Sequence, residues 1–242
     1  MPAINLYERD MKKRLREPGI GLLDRVPIKE CNDPFVPLKG ISPRIRLKMP
    51  IPWVRREVAD MLVAAAESLP EGLFLVVVTG YRSLKMQARA YRRYRRHLCR
   101  KHPTWPACIV RREANRFLHP ADSHSPPGHC TGGAVDVALA YRNGRQLDTT
   151  SSEIPDANTW ATFYRHLTPV ARANRALLYS TMLKAGFTNC YDEWWHYSYG
   201  DTAWAVRLGK PYAIYDRPAE LPPAMARAVA RAEKQPPRRI RL

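Results

Sequence analysis

The chain has 242 residues, of which 45% are hydrophobic, and this length can bury a substantial core. It contains no run of about 18 apolar residues, which excludes a membrane-spanning helix, and its charged opening stretch lacks the apolar core of a signal peptide. The formal net charge of +18 permits attraction to nucleic acid, anionic lipid or an acidic polymer, without choosing among them. We therefore expect one globular cytoplasmic domain.

The first half of the chain predicts an irregular start followed by a helix, a strand and a second helix. Prolines punctuate residues 1–52, so this part is expected to wrap the domain as loop and extended chain. Apolar residues recur at helical spacing from Trp53 until Pro70. Residues 73–78 are apolar and β-branched, which predicts a buried strand, and the second helix is expected over about residues 84–100.

The second half predicts a long loop, a hairpin, a third helix and a final strand. The proline-rich connection 101–127 is expected to be irregular. Residues 134–141 alternate like a strand, and an Asn-Gly turn follows them. A helix capped by Thr168 is expected to end before Gly186, and the last strand to cover residues 191–199.

These elements predict an α+β fold, with a small, mainly antiparallel sheet flanked by helices. We place the domain itself at residues 53–217. After Pro218 the composition shifts to Ala, Arg and Pro, so residues 218–242 are expected to form a helix and a disordered basic tail.

The five cysteines are an odd number, and none lies in a Cys-x-x-Cys pair. This pattern argues against a disulfide framework and against a cysteine zinc site. We expect all five to be free thiols; they are Cys31, Cys99, Cys108, Cys130 and Cys190.

Two short segments carry side chains that can bind a metal. The first contains His129 and Asp136 on either side of a Gly-Gly pair, and the second is a Glu-Trp-Trp-His run with Glu193 and His196. A catalytic zinc takes three protein ligands and leaves a fourth position for water. His129, Asp136 and His196 supply such a set and leave Glu193 as a base.

A third motif, Gly-Tyr-Arg ending at Arg82, follows the first predicted strand. By these three motifs, in this order and spacing, the sequence resembles the bacterial zinc D-alanyl-D-alanine dipeptidases, relatives of the vancomycin-resistance dipeptidase and of peptidoglycan carboxypeptidases. The resemblance covers most of the chain and implies the hedgehog-like zinc peptidase fold of D,D-peptidases.

The resemblance also implies a role for each matching residue. His129, Asp136 and His196 would bind one Zn²⁺ per chain, and zinc activates water and polarises the peptide carbonyl. Glu193 would be the general base, which takes the proton of the water and returns it to the leaving amine. Arg82 would stabilise the negative charge of the transition state.

The expected substrate is a small dipeptide, D-alanyl-D-alanine. The family places a carboxylate after the hairpin to hold the substrate ammonium group, and Glu153 and Asp156 are the candidates for it here. Two residues before His129, this chain has Pro127 where those enzymes usually have a substrate-pocket Ser. This departure concerns the substrate and not the metal.

Other residues offer alternatives. His124 could replace the first histidine ligand but has no partner at the family spacing. Cys130 is expected to be a buried thiol, because neighbouring side chains on an extended chain point in different directions. Taken singly, Glu193 could be a surface carboxylate, His196 a core histidine and Arg82 a structural ion-pair residue, but their joint order favours an active site. The remaining histidines are expected to be surface or structural residues: His97, His102, His119 and His166.

The arginine-rich stretch 92–101 supports a function of a different class. Basic residues interleaved with tyrosine can neutralise phosphates and stack on bases, but on a helix most of them would form a solvated face. We therefore expect this helix and the tail to give no more than weak binding to an anionic polymer or surface. The alternative is a nucleic-acid- or anionic-surface-binding protein on a degenerate peptidase scaffold.

We interpret the sequence as a zinc metallopeptidase that hydrolyses D-Ala-D-Ala to two D-alanines. The second interpretation is a D,D-carboxypeptidase or endopeptidase that acts on peptidoglycan stem peptides with the same chemistry in an open groove.

Overall fold

The computed structural model describes residues 6–13, 15–150 and 157–235. The helices in these ranges are α1 (Leu6–Met11), α2 (Ile20–Leu23), α3 (Arg56–Glu67), α4 (Leu84–Lys101), α5 (Ala107–Phe117), α6 (Gly128–Thr131), α7 (Pro169–Lys184), α8 (Thr202–Arg207) and α9 (Pro223–Lys234). The strands are β1 (Phe35–Pro37), β2 (Ile45–Leu47), β3 (Trp53–Arg55), β4 (Leu73–Thr79), β5 (Ala134–Tyr141), β6 (Thr188–Cys190) and β7 (Glu193–Ser198). None of the described helices is long and apolar enough to cross a membrane.

The main sheet has the strand order β2-β4-β5-β7-β6. Strands β2 and β4 are parallel, and every other neighbouring pair is antiparallel. The prediction of an α+β fold with a small, mainly antiparallel sheet is confirmed. Strand β5 lies at the centre of the sheet, and all of its residues except Tyr141 are buried.

Helices α3 and α7 bury apolar residues against the sheet. Val58 and Leu62 of α3 share one core with Leu139 of β5 and with Leu178 and Met182 of α7. This burial removes apolar surface from water and is the main stabilising contribution to the fold.

The ends of α7 agree with the sequence prediction. The hydroxyl group of Thr168 accepts a hydrogen bond from the backbone N–H of Ala171 at 3.2 Å, which caps the helix. Gly186 follows the helix with φ +103°, a conformation that glycine adopts without a Cβ clash.

The predicted start of α3 at Trp53 is wrong, because Trp53–Arg55 form β3, which pairs with β1. The Arg55 N–H donates to the carbonyl of Gly132 at 3.2 Å, and the Arg56 N–H donates to that of Pro34 at 2.9 Å. These tertiary partners outweigh the helical apolar pattern of the segment.

The connection after α4, predicted to be irregular, contains α5. Pro106 occupies the N-cap position of this helix, so a proline that the prediction treated as a helix breaker marks a helix start. Leu98 of α4 packs against Val110 and Ala114 of α5 in a small separate core. We call residues 84–117, which comprise α4, α5 and their short connection, the α4–α5 hairpin.

The N-terminal part is more helical than predicted. Helix α1 packs on α7, where Tyr7 is fully buried and the Tyr179 hydroxyl donates to Asp10 at 3.0 Å. The expectation of loop and extended chain is therefore wrong for this segment. No hydrophobic periodicity is visible in so short a helix, because it spans fewer than two turns.

The helix expected after Pro218 is present as α9, and it packs against the domain. Met225 and Val229 lie in one apolar cluster with Ile51 and Tyr81. The Ser83 hydroxyl donates to Glu233 at 2.6 Å. The basic tail at residues 236–242 lies outside the described residues.

Candidate metal centre and active site

His129 is fixed by two backbone contacts with the segment that follows β4. Its Nδ1 lies 3.0 Å from the carbonyl oxygen of Gly80, and its own carbonyl accepts the Arg82 N–H at 3.0 Å. The hydrogen bond to Gly80 places the proton on Nδ1 and leaves the lone pair of Nε2 available to bind a metal. That Nε2 lies 3.3 Å from Oδ1 of Asp136.

Asp136 and His196 lie directly opposite each other on the antiparallel pair β5 and β7. Opposed residues of such a pair project from the same face of the sheet. The Nδ1 of His196 lies 3.1 Å from Oδ1 of Asp136, and its Nε2 lies 3.4 Å from the Ser198 hydroxyl. Both imidazoles therefore direct one nitrogen at the same carboxylate oxygen.

The three side chains fit a tetrahedral zinc. Their ligand atoms all lie within 4.8 Å of one another. Two ligands at about 2.0–2.1 Å from a tetrahedral zinc are separated by about 3.3 Å, close to the nitrogen-to-oxygen distances seen here. The second nitrogen of each imidazole also faces an oxygen atom, from Gly80 or Ser198, as is usual for histidines that bind metal.

The protonation states of the cluster suit metal binding. Burial alone would raise the pKa of Asp136, but His129 and His196 hold it well below the usual value. Burial lowers the pKa of His129, so its imidazole is neutral. Metal ligands bind as a carboxylate and as neutral imidazoles, so this charge state favours binding.

Cys130 and His124 do not join the cluster. Burial raises the pKa of the Cys130 thiol to about 12, which keeps it protonated and unlike a metal thiolate. His124 is exposed. All five cysteines are free, and Cys130 is buried, as predicted.

Glu193 reaches the cluster because β7 is irregular. The predicted single strand over residues 191–199 is wrong: β6 and β7 form a hairpin, and Cys190 pairs with Glu193 where a regular ladder would pair it with His196. The Asn189 side-chain amide lies 3.3 Å from the Glu193 carbonyl and 3.0 Å from that of His196, and so satisfies the bulged backbone. The bulge brings two side chains three residues apart to one site.

The carboxylate of Glu193 is enclosed beside the candidate metal ligands. Its Oε2 lies 4.0 Å from Nδ1 of His196. Burial and the nearby charge of Asp136 raise its pKa well above the usual value, while Arg82 opposes this rise. A carboxyl group with a raised pKa can both accept and return a proton near neutral pH.

Arg82 is held by Gln87, a residue to which the sequence assigns no role. Its Nη1 donates to the Gln87 side-chain oxygen at 2.9 Å, and the Gln87 amide donates to the His119 carbonyl at 2.7 Å. Its Nη2 lies 4.0 Å from Oδ2 of Asp136. The guanidinium group is therefore fixed beside the cluster.

The five residues of the candidate site line one cavity of about 990 Å³: Arg82, His129, Asp136, Glu193 and His196. One wall belongs to the α4–α5 hairpin. An aromatic series links that wall to β7: Phe117 contacts Trp160 with 5.1 Å between ring centroids, Trp160 contacts Trp195 at 5.7 Å, and Trp195 contacts Trp194 at 5.4 Å. These rings exclude water from one side of the candidate site.

The sequence also matches a known enzyme family over most of its length. The profile of the D-ala-D-ala dipeptidase family, peptidase family M15, matches residues 53–217. The chain belongs to this family. Membership in it confirms the resemblance seen in the motifs.

A curated relative of this family member is the D-alanyl-D-alanine dipeptidase of Synechocystis sp.. The two sequences are 33% identical over 105 residues, which cover 38% of this chain and 42% of the relative. The chain thus matches about two fifths of the relative's length.

Two solved structures of vancomycin-resistance enzymes are similar to this family member. One is a mutant of the D,D-pentapeptidase VanY with Zn(II), at 15% identity and a TM-score of 0.39, covering 64% of this chain and 78% of that one. The other is the D,D-dipeptidase VanXYg with a D-Ala-D-Ala phosphinate analog, at 20% identity and a TM-score of 0.37, covering 80% of this chain and 71% of that one.

The family motifs predict some residues of the site and not others. The structure brings together His129, Asp136, His196, Glu193 and Arg82. The predicted ammonium-binding residues, Glu153 and Asp156, lie outside the described residues. Gln87, Asn189 and Ser198 support the site, but no pattern in the sequence distinguishes them from ordinary polar residues.

His119 lies in the wall of the cavity rather than on the surface. Its Nε2 lies 3.2 Å from the Ser125 hydroxyl, which in turn donates to Asp24 at 2.6 Å. Burial lowers the pKa of His119 to about 4, so the ring is neutral at pH 7. His119 is therefore a hydrogen-bonded structural histidine, one of the two environments expected for it from the sequence.

The glycine turn before β5 leaves no room for a side chain. A Cβ on Gly133 would lie 2.4 Å from the carbonyl oxygen of Tyr199. We expect Gly133→Ala to lower the free energy of unfolding by about 1–3 kcal/mol, as overpacking against backbone does. Urea denaturation measures this change.

Gly19→Ala is the matched control for that substitution, because no atom lies within 4 Å of its added Cβ and φ is −75°. It should change the free energy of unfolding by no more than about 0.5 kcal/mol. Equal effects of the two substitutions would contradict the tight turn.

Proposed function

We propose that this protein is a zinc-dependent peptidase that hydrolyses the D-alanyl-D-alanine dipeptide to two D-alanines. The convergence of His129, Asp136 and His196 beside Glu193 in one cavity carries the proposal. Membership in the D-ala-D-ala dipeptidase family and the name of the Synechocystis relative support it. A cytoplasmic location remains a prediction.

One zinc ion per chain is proposed, held by His129, Asp136 and His196. Bound there, zinc would supply a Lewis acid for the peptide carbonyl and would lower the pKa of water from about 15.7 toward about 7. The donor set of two imidazoles and one carboxylate is among those that catalytic zinc uses.

Glu193 is proposed as the proton carrier. It removes a proton from the attacking water and delivers it to the amine that leaves when the peptide bond breaks. Its enclosure supports this role, since a buried carboxyl group holds and releases a proton nearer neutral pH than an exposed one.

Arg82 is proposed to stabilise the negative charge that develops on the substrate carbonyl oxygen. Because Gln87 holds one of its terminal nitrogens, the guanidinium group need not reorganise during the reaction. Glu153 and Asp156 remain the proposed ligands of the substrate ammonium group.

A second candidate is a D,D-carboxypeptidase that acts on longer peptides. The cavity favours it, since about 990 Å³ is at the upper end of the range, about 300–1,000 Å³, for sites that hold drug-sized ligands. A free dipeptide would leave part of this space unfilled.

The experiment is an assay of alanine release by protein incubated with zinc, from D-Ala-D-Ala, from L-Ala-L-Ala and from a pentapeptide that ends in D-Ala-D-Ala. Cleavage of the D-dipeptide alone supports the dipeptidase, and cleavage of the pentapeptide favours the carboxypeptidase. No release from any substrate, together with no zinc bound, would favour a binding protein on a degenerate scaffold.

A further inference from the structure

We infer that the α4–α5 hairpin forms an anion-binding subsite in the outer part of the cavity, with Arg93 and Arg112 as its cationic groups. It would take a carboxylate carried by a peptide on the N-terminal side of D-Ala-D-Ala. The inference rests on the second candidate function, the D,D-carboxypeptidase, because it takes the cavity as the site of a peptide longer than the dipeptide.

The position of the two arginines relates the subsite to the candidate metal centre. Arg93 on α4 and Arg112 on α5 line the same cavity as His129. Arg116 of the hairpin donates to both carboxylate oxygens of Asp192, at 2.8 and 3.2 Å. Since Asp192 immediately precedes Glu193, this pair fixes the hairpin against the candidate catalytic residue.

Arg93 and Arg112 differ from other arginines of the cavity in having no partner among the described residues. Arg116 is paired with Asp192, and Arg207 with Glu17. Within the described chain, Arg93 and Arg112 make no hydrogen bond and no ion pair, and both are exposed. Guanidinium groups bind carboxylates in bidentate geometry, so an acidic ligand would satisfy them.

The α4–α5 hairpin is strongly basic, which favours an anionic ligand at this wall of the cavity. Residues 84–117 contain 11 lysines and arginines and one acidic residue, a net charge of 11 − 1 = +10. The whole chain carries +18, so this segment holds more than half of the excess. A cavity wall with such an excess concentrates anionic ligands at the cavity entrance.

The shape of the site favours an acidic peptide over a nucleic acid. Tyr91 and Tyr94 pack on the small core of the hairpin, so their rings are not free faces for stacking bases. Tyr94 lies near Glu193, and burial, Glu113 and Glu193 together raise its pKa to about 12. Tyr94 and Glu193 line the same cavity as the two arginines.

The test compares two peptides that differ by one carboxylate: succinyl-(Gly)n-D-Ala-D-Ala and its butyryl counterpart, with one to three glycines. Binding to zinc-loaded full-length protein with Glu193→Gln is measured by calorimetry, which needs no cleavage. We expect the succinyl peptide of the best length to bind about tenfold more tightly, as a charge-assisted contact gives. Arg93→Gln with Arg112→Gln should abolish this preference.

Arg96→Gln with Arg100→Gln is the matched control. It removes the same charge from exposed positions of α4 outside the cavity lining and should leave the preference intact. Equal binding of both peptides to the parent protein would overturn the subsite, and so would an equal loss in the control, which indicates unspecific attraction. Absent cleavage of the succinyl peptide by the wild-type protein, with an intact binding preference, would refute the carboxypeptidase function alone.

Discussion

Glu193→Gln is expected to lower kcat for D-Ala-D-Ala hydrolysis by about 10²–10⁴-fold, the range that a general base contributes. Glutamine keeps the shape of the side chain but cannot accept the proton of the attacking water. Because Glu193 is not in the His129, Asp136 and His196 cluster, bound zinc should stay at one ion per chain. Steady-state kinetics and metal analysis of the same preparation measure both quantities.

Glu220→Gln is a suitable control for this substitution, because Glu220 is exposed and makes no ion pair within the described residues. It should leave kcat unchanged. Retention of most of the wild-type kcat in Glu193→Gln would exclude Glu193 as the base. Loss of zinc in that variant would instead make Glu193 part of the metal site.

Asp136→Ala is expected to remove bound zinc and to lower activity by more than about 10³-fold, since both imidazoles direct a nitrogen at its Oδ1. The remaining His129 and His196 provide only two ligands, one fewer than a catalytic zinc site uses. Metal content after dialysis, measured by mass spectrometry, tests the ligand role without relying on activity.

His124→Ala separates a ligand role from a general effect of losing a histidine side chain. His124 is exposed and lies outside the cluster, so its variant should keep both zinc and activity. Full zinc content in Asp136→Ala, or loss of zinc in His124→Ala, would contradict the proposed ligand set.

The sequence motifs predict the candidate metal cluster well because each lies in a regular element. Asp136 is part of an apolar strand, and His196 follows two tryptophans that predict a buried strand. The antiparallel pairing of β5 and β7 then places the two residues opposite each other. The order of the motifs along the chain is thus enough to identify the cluster.

Other features depend on tertiary contacts that leave no local pattern. The prolines around the start of α5 predict a loop, so the helix was not expected from the sequence. The apolar residues of β3 have helical spacing, but the segment pairs with β1 instead. The bulge near Glu193 depends on Asn189, whose amide contacts three carbonyls of β7. In a regular strand, Glu193 and His196 would face opposite sides of the sheet.

Because β5 lies at the centre of the sheet, local unfolding should reach the candidate site late. Strands β2 and β6 form the edges, whereas Asp136 lies on β5 and has a paired strand on each side. Local opening events begin at frayed ends and edges and reach the middle of a sheet last. Amide hydrogens beside Asp136 should therefore exchange only through global unfolding, so that partial opening at the edges leaves the metal-binding geometry intact.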